Sequence, residues 1–91
     1  NKLSQIPIFD KLYIRHITLD NNNIKKIQSS SFDDFRNLVI LTLSNNQLEF
    51  IDSNSFLDLR WLSTLDLSSN FITYLNESLF SRTFSLRYLN I

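Results

Sequence analysis

Apolar residues recur along this chain at intervals of 24 residues. The first full unit, residues 14–37, contains seven apolar residues and one asparagine: Ile14, Ile17, Leu19, Asn22, Ile24, Ile27, Phe32 and Phe35. The matching residues of units 38–61 and 62–85 are Leu38, Leu41, Leu43, Asn46, Leu48, Ile51, Phe56 and Leu59, and then Leu62, Leu65, Leu67, Asn70, Ile72, Leu75, Phe80 and Thr83. Only Thr83 interrupts an apolar column, and we expect Phe84 beside it to fill that space.

Both ends of the chain carry parts of the same pattern. Residues 86–91 begin a further unit with Leu86 and Leu89, and residues 1–13 form a shorter opening unit with Asn1, Leu3, Ile6 and Pro7. We therefore expect one repeat domain over residues 1–91, divided into units 1–13, 14–37, 38–61, 62–85 and 86–91. Because neither end carries a polar capping unit, we also expect the chain to be part of a longer protein.

Each unit contains a short alternation of apolar and polar residues, which predicts a strand with one buried face. The predicted strands are Ile17–Leu19, Leu41–Leu43 and Leu65–Leu67. Because every unit returns to the same place, the strands should stack in parallel about 4.8 Å apart. The other apolar columns then lie on the return segments and share one continuous core, which predicts a solenoid.

Two further columns are expected to stabilise the stack. A side-chain amide both donates and accepts, so the aligned asparagines should bond the backbone of adjacent units as a ladder; they are Asn22, Asn46 and Asn70. The aligned phenylalanines favour a buried spine over a ligand-binding aromatic row; they are Phe32, Phe56 and Phe80. The chain has no glycine, so asparagine is also expected to replace glycine where the chain turns sharply.

The consensus L-x-x-L-x-L-x-x-N-x-L-x-x-I-x-x-x-x-F-x-x-L-x-x resembles the leucine-rich-repeat family in its typical 24-residue form. The resemblance implies an α/β solenoid arc, with a short parallel β-sheet on the concave face and irregular or short helical segments on the convex face. It also implies recognition of a partner protein through the concave face. The phenylalanine-bearing unit looks like that of animal extracellular members, of the Toll-like or Slit-like kind. A cell-surface receptor or secreted adhesion protein is therefore expected, with an intracellular scaffold or a matrix structural protein as alternatives.

Side chains between the strand leucines are expected to project from the concave face toward a partner. The candidate partner-binding residues are Arg15, His16, Thr18, Asp20, Val39, Ile40, Thr42, Ser44, Thr64, Asp66, Arg87 and Tyr88. Among them, Val39 and Ile40 are apolar and Tyr88 is aromatic, as in an interface hot spot surrounded by polar residues. The alternative is that these are isolated exposed apolar residues of no special role.

Composition argues against catalysis and against several kinds of partner. Nine basic and nine acidic residues give zero formal net charge, which favours neither nucleic acid nor an anionic membrane surface. No apolar run is long enough to span a bilayer. Without glycine or cysteine, no phosphate-binding glycine loop or thiol nucleophile is available, and no cofactor is expected. His16 is the only histidine, so we expect no metal site. Asp20 and Ser44 share its face, but nothing in their spacing marks an activated serine.

Asn76-Glu77-Ser78 matches the acceptor sequence for N-glycosylation. With 11 asparagines and 18 serines and threonines in 91 residues, chance alone gives about two such matches. A glycan on Asn76 would lie on the return segment and would leave the concave face clear.

Overall fold

A computed structural model of the chain describes residues 8–91; the opening motif of Asn1, Leu3, Ile6 and Pro7 lies outside the described residues. A short helix, α1 (Ile8–Lys11), precedes six short strands. The strands are β1 (His16–Thr18), β2 (Lys26–Ile27), β3 (Ile40–Thr42), β4 (Phe50–Ile51), β5 (Thr64–Asp66) and β6 (Tyr88–Asn90). A 3₁₀ helix at Glu77–Phe80 lies between β5 and β6.

The four three-residue strands form one parallel sheet in the order β1-β3-β5-β6. Each residue pairs with the residue 24 positions later, so Ile17 pairs with Leu41, Leu41 with Leu65, and Leu65 with Leu89. The strands begin and end one residue earlier than the predicted alternation. The last predicted residue still joins the pairing, since the Leu43 N–H donates to the Asp66 carbonyl at 2.8 Å. The spacing of the repeat therefore sets the register of the sheet.

A second parallel sheet, which the alternation did not predict, joins the return segments. Lys26 and Ile27 of β2 pair with Phe50 and Ile51 of β4. The Asp52 N–H extends this pairing with a bond to the Ile27 carbonyl at 2.9 Å. Two-residue strands contain too little alternation to be seen in a sequence, and this sheet depends on the register that the first sheet imposes.

The apolar columns meet in one buried cluster between the two sheets. Its members are Ile17, Ile27, Phe32, Phe35, Leu38, Leu41, Leu43, Leu48, Ile51, Phe56, Leu59, Leu62, Leu65, Leu67 and Leu79. Burial is most complete in the central units, where Leu41 and Leu65 are fully covered, whereas Leu89 of β6 is 40% exposed. Each unit is thus covered by the units on both sides of it.

The phenylalanine column forms a spine on the return side of this core. The ring centroids of Phe32 and Phe56 lie 6.1 Å apart, and those of Phe56 and Phe80 lie 6.5 Å apart, with tilted ring planes. Phe32 and Phe56 are buried, and Phe80 is half-buried at the last ring of the row. These separations lie within the range preferred by aromatic pairs.

The expectation for Phe84 is wrong. Thr83 itself occupies the column and is 6% exposed, while Phe84 is 73% exposed. The Thr83 hydroxyl donates to the Phe80 carbonyl at 3.1 Å, so a polar group is buried with its hydrogen bond satisfied. A one-residue shift would have displaced the next strand from its register, and threonine avoids that shift at the cost of a smaller apolar side chain.

Two buried residues escaped the column analysis because their column mixes residue types. Ser55 and Leu79 occupy equivalent places in successive units, and both are almost fully buried. The Ser55 hydroxyl lies 3.2 Å from the Gln28 carbonyl and 3.4 Å from the Ile27 carbonyl, so it bonds the backbone of the preceding unit. A serine followed by a leucine at the same place gives no apolar signal.

Sharp turns follow the strands without glycine. Asn21 and Asn45 adopt φ angles of 60° and 56°, and Ser69 takes the third such turn at 56°. These positions are 24 residues apart and each immediately precedes a ladder asparagine. Asparagine tolerates this left-handed region better than most residues, which confirms at Asn21 and Asn45 that asparagine replaces glycine in the turns.

Each ladder asparagine bonds the backbone of its own unit, and the later two also reach the preceding unit. The Asn46 amide donates to the carbonyls of Leu43 at 2.9 Å and Leu19 at 3.0 Å, while its Oδ1 accepts from the Ile24 N–H at 3.2 Å. One unit later, the Asn70 amide donates to the carbonyls of Leu67 and Leu43, both at 3.0 Å. The Leu43 carbonyl therefore accepts from two asparagines and links two units.

The first asparagine of the ladder differs in exposure. Asn22 donates to the carbonyls of Leu19 at 2.8 Å and Asp20 at 3.1 Å, both in its own unit, and its side chain is exposed. The Asn70 Oδ1 accepts from the Leu48 N–H at 3.0 Å, as the Asn46 Oδ1 does from the Ile24 N–H. Buried backbone groups at the bend are thus satisfied by side chains where no strand partner is available.

Replacing Phe56 with alanine should lower the free energy of unfolding of the protein that carries this chain by about 3–5 kcal/mol, because a buried ring is lost and a cavity remains. Urea unfolding monitored by circular dichroism measures the change. Phe84→Ala is the matched control, since that ring is exposed, and should change stability by under about 0.5 kcal/mol. A Phe56→Ala loss no larger than that of the control would contradict the spine.

Candidate binding surface

Two rows of side chains cross the outward face of the four-stranded sheet. His16, Ile40, Thr64 and Tyr88 are paired in one row, and Thr18, Thr42, Asp66 and Asn90 are paired in the other. The residues between them, Ile17, Leu41, Leu65 and Leu89, point to the opposite side of the sheet because strand side chains alternate. We call the eight outward residues the strand face. Seven strand-face positions are polar or aromatic, and Ile40 is the aliphatic exception.

The proposed hot-spot residues lie on one row but are not adjacent. Ile40 is half-buried between His16 and Thr64, and Tyr88 is 70% exposed on the other side of Thr64. Two strand spacings, about 10 Å, therefore separate Ile40 from Tyr88. The row offers two apolar anchors with a hydroxyl between them rather than one continuous patch.

Strand-face polar groups differ in how fully they are already bonded. His16 Nε2 and Thr18 Oγ1 lie 3.0 Å apart on the exposed first strand. The Thr42 Oγ1 is buried and makes no hydrogen bond within residues 8–91. An unbonded buried hydroxyl costs about 1–3 kcal/mol, so this row carries an unmet hydrogen-bonding demand at its centre.

Acidic residues at the ends of the strands brace the backbone. The Asp20 Oδ1 accepts from the Ser44 N–H at 2.7 Å, and the Asp66 Oδ1 accepts from the Ser68 N–H at 2.9 Å. The carboxylate of Asp20 is therefore directed at a backbone N–H of the next unit, while the His16 ring contacts Thr18. These contacts give Asp20 and Ser44 a structural role at the exit from the strands.

Arg15, Val39 and Arg87 lie just before the strands, beside the strand face rather than on it. The Arg15 carbonyl accepts from the N–H groups of Val39 at 2.7 Å and Ile40 at 3.0 Å, and the Val39 carbonyl is shared in the same way by the next unit. Their side chains lie toward one edge of the sheet, where Arg15 and Val39 line a cleft with Asn37 and Trp61. Trp61 was not singled out from the sequence, although it aligns with Tyr13 and Asn37 at 24-residue intervals.

The acceptor sequence for N-glycosylation adopts a compact, exposed turn. Asn76 caps the 3₁₀ helix, and its Oδ1 accepts from the Ser78 N–H at 2.9 Å and from the Ser78 hydroxyl at 2.7 Å. The asparagine side chain lies beside Phe50 and Tyr74, which line a small cleft with it next to β4. Asn76 therefore lies on the return side of each unit, where β2 and β4 run.

Metal and membrane features were examined over the same part of the chain. No group of three or more histidine, cysteine, aspartate or glutamate side chains in residues 8–91 could hold a metal ion. None of the helices described for those residues has the length and apolar character required to cross a bilayer. The chemistry that the described residues offer is hydrogen bonding, charge and exposed apolar surface.

Comparison with protein families gives a clear result. A family model described as "Leucine rich repeat" matches residues 13–72 and, overlapping them, residues 36–91. A search of curated protein sequences found no significant match. The family matches confirm the resemblance drawn from the consensus, and the parallel four-stranded sheet with few helices is consistent with it. Because the matches together span residues 13–91, the chain belongs to the leucine-rich-repeat family.

Proposed function

We propose that the chain forms a segment of a leucine-rich-repeat solenoid that binds a partner protein through the strand face. Leucine-rich repeats generally mediate protein–protein interactions and are generally non-enzymatic. The observation that carries the proposal is the pairing of outward side chains in two unbroken rows across four strands. A rigid surface of this kind presents several side chains at fixed spacing and loses little entropy on binding.

The spacing on the two sides of the core supports a concave strand face. Paired strands lie about 4.8 Å apart. The spine rings on the return side lie 6.1 and 6.5 Å apart, so the stack is wider there. A stack that is wider on one side curves toward the other, which would place the strand face inside the arc.

The proposed setting is the cell surface or the extracellular space, as part of a receptor or adhesion protein. The phenylalanine spine and the exposed acceptor turn at Asn76 support this setting. An intracellular scaffold or a matrix structural protein is the alternative. No reaction and no cofactor is proposed, because the Asp20 carboxylate and the His16 ring are engaged in contacts that serve the fold.

Strand-face variants should weaken partner binding. Proteins retained by the immobilised full-length protein are identified by mass spectrometry, and the retained protein is titrated against each variant. Ile40→Asp places a charge in a half-buried apolar position, and Tyr88→Ala removes an exposed ring; each should reduce affinity about thirtyfold if it is a hot spot.

Tyr74→Ala is the matched control for Tyr88→Ala, because Tyr74 is 71% exposed but lies on the return side. Its affinity should equal that of the unsubstituted protein. Unchanged binding by both strand-face variants with an intact fold, or an equal loss in the control, would rule out the strand face as the docking surface.

We also propose that Asn76 is glycosylated. Its exposure and its bonds to Ser78 support an accessible acceptor. The full protein, secreted from animal cells, should lose one glycan in Asn76→Gln and in Ser78→Ala but retain it in Ser78→Thr. Mass spectrometry before and after enzymatic deglycosylation detects the difference. An unmodified Asn76 in the secreted protein would refute the assignment.

A further inference from the structure

The chain's single tryptophan lies exposed at the junction of two clefts beside the sheet. Trp61 is 63% exposed. One cleft, of about 430 Å³, is lined by Arg36, Asn37, Asp58, Arg60 and Trp61. The other, of about 330 Å³, is lined by Arg15, Asn37, Val39 and Trp61. Since Asn37 and Trp61 belong to both, we call the combined surface the Trp61 cleft.

The repeat itself assembles this surface. Arg36 and Arg60 are 24 residues apart, as are Asn37 and Trp61, so two neighbouring units each supply one member of each pair. The Asn37 amide donates to the Leu12 carbonyl at 2.8 Å, which fixes it against the preceding unit. The walls of the cleft are therefore held by the same register that aligns the strands.

The Trp61 cleft carries an excess of positive charge. Three arginines line it against one carboxylate, and that carboxylate is occupied because the Asp58 Oδ2 accepts from the Asp34 N–H at 3.0 Å. The Arg36 guanidinium lies 3.5 Å from Asp34 and is largely exposed, which makes this a weak pair. Within residues 8–91, neither Arg15 nor Arg60 forms a salt bridge. The zero net charge of the whole chain conceals this local excess.

We propose that the Trp61 cleft binds a short acidic segment of a protein partner. Arginine presents a planar fork that matches a carboxylate, and tryptophan and arginine are the residues most enriched at binding hot spots. The exposed indole and Val39 supply apolar surface for a side chain next to the acidic residues. Because the positive charge is confined to three arginines on a neutral chain, the cleft suits a short acidic segment better than a long polyanion. This surface lies beside the strand face and goes beyond the function proposed for it.

The test uses the full-length protein and a synthetic peptide of alternating glutamate and leucine, with a lysine-for-glutamate peptide as the charge control. Isothermal titration measures affinity, and quenching of Trp61 fluorescence locates the peptide. The acidic peptide should bind and the basic peptide should not. Trp61→Ala and Arg60→Glu should each weaken binding at least about tenfold.

Two matched controls separate the cleft from general effects. Arg82→Glu makes the same charge change at an exposed arginine outside the cleft, and Ile40→Asp alters the strand face; both should retain peptide affinity. Thermal melts confirm that every variant is folded, and Arg60→Lys should bind less well than arginine although the charge is kept.

Several outcomes would overturn the proposal. These are no binding of the acidic peptide, equal losses in Arg82→Glu and Arg60→Glu, and binding that is unaffected by Trp61→Ala. A heparin fragment is titrated in parallel; if it binds through Arg60 while the peptide does not, the cleft recognises sulfated polysaccharide instead.

Discussion

A carbonyl group that accepts hydrogen bonds from the asparagines of two successive units is the contact on which this structure depends. The Leu43 carbonyl receives the amides of Asn46 and Asn70. Their Oδ1 atoms accept the N–H groups of Ile24 and Leu48, each from the preceding unit. A bend that would otherwise leave buried backbone groups unpaired is thereby satisfied, and each unit is tied to its neighbour at a fixed offset.

That fixed offset explains both candidate surfaces. With every unit held 24 residues from the next, the outward strand residues form straight rows, and residues before the strands form columns along the sheet edge. Thr83 shows how strictly the offset is kept, since a threonine fills an apolar column while the neighbouring Phe84 ring stays in solvent. Function in such a chain is therefore a matter of which side chains occupy rows that the backbone has already placed.

Sequence periodicity was sufficient to predict the parallel strands, the phenylalanine spine and the use of asparagine at tight turns, because each depends on the same residue type recurring at one spacing. The second sheet has strands too short to show alternation, and the Ser55–Leu79 column changes residue type between units. The Trp61 cleft was missed for another reason. Its arginines and its indole look like ordinary surface residues until the fold brings two units together, and the total charge of zero gives no sign of their grouping.

Amide hydrogen exchange in Asn70→Ala of the full-length protein tests the ladder most directly. The Leu48 N–H bonds the Asn70 side chain, whereas the Ile24 N–H bonds Asn46 one unit earlier. Losing one buried acceptor should weaken protection at Leu48 by about 5- to 150-fold, corresponding to about 1–3 kcal/mol, with a smaller change at Ile24. Equal protection of Leu48 in the variant and the unsubstituted protein, with the fold intact, would contradict the account.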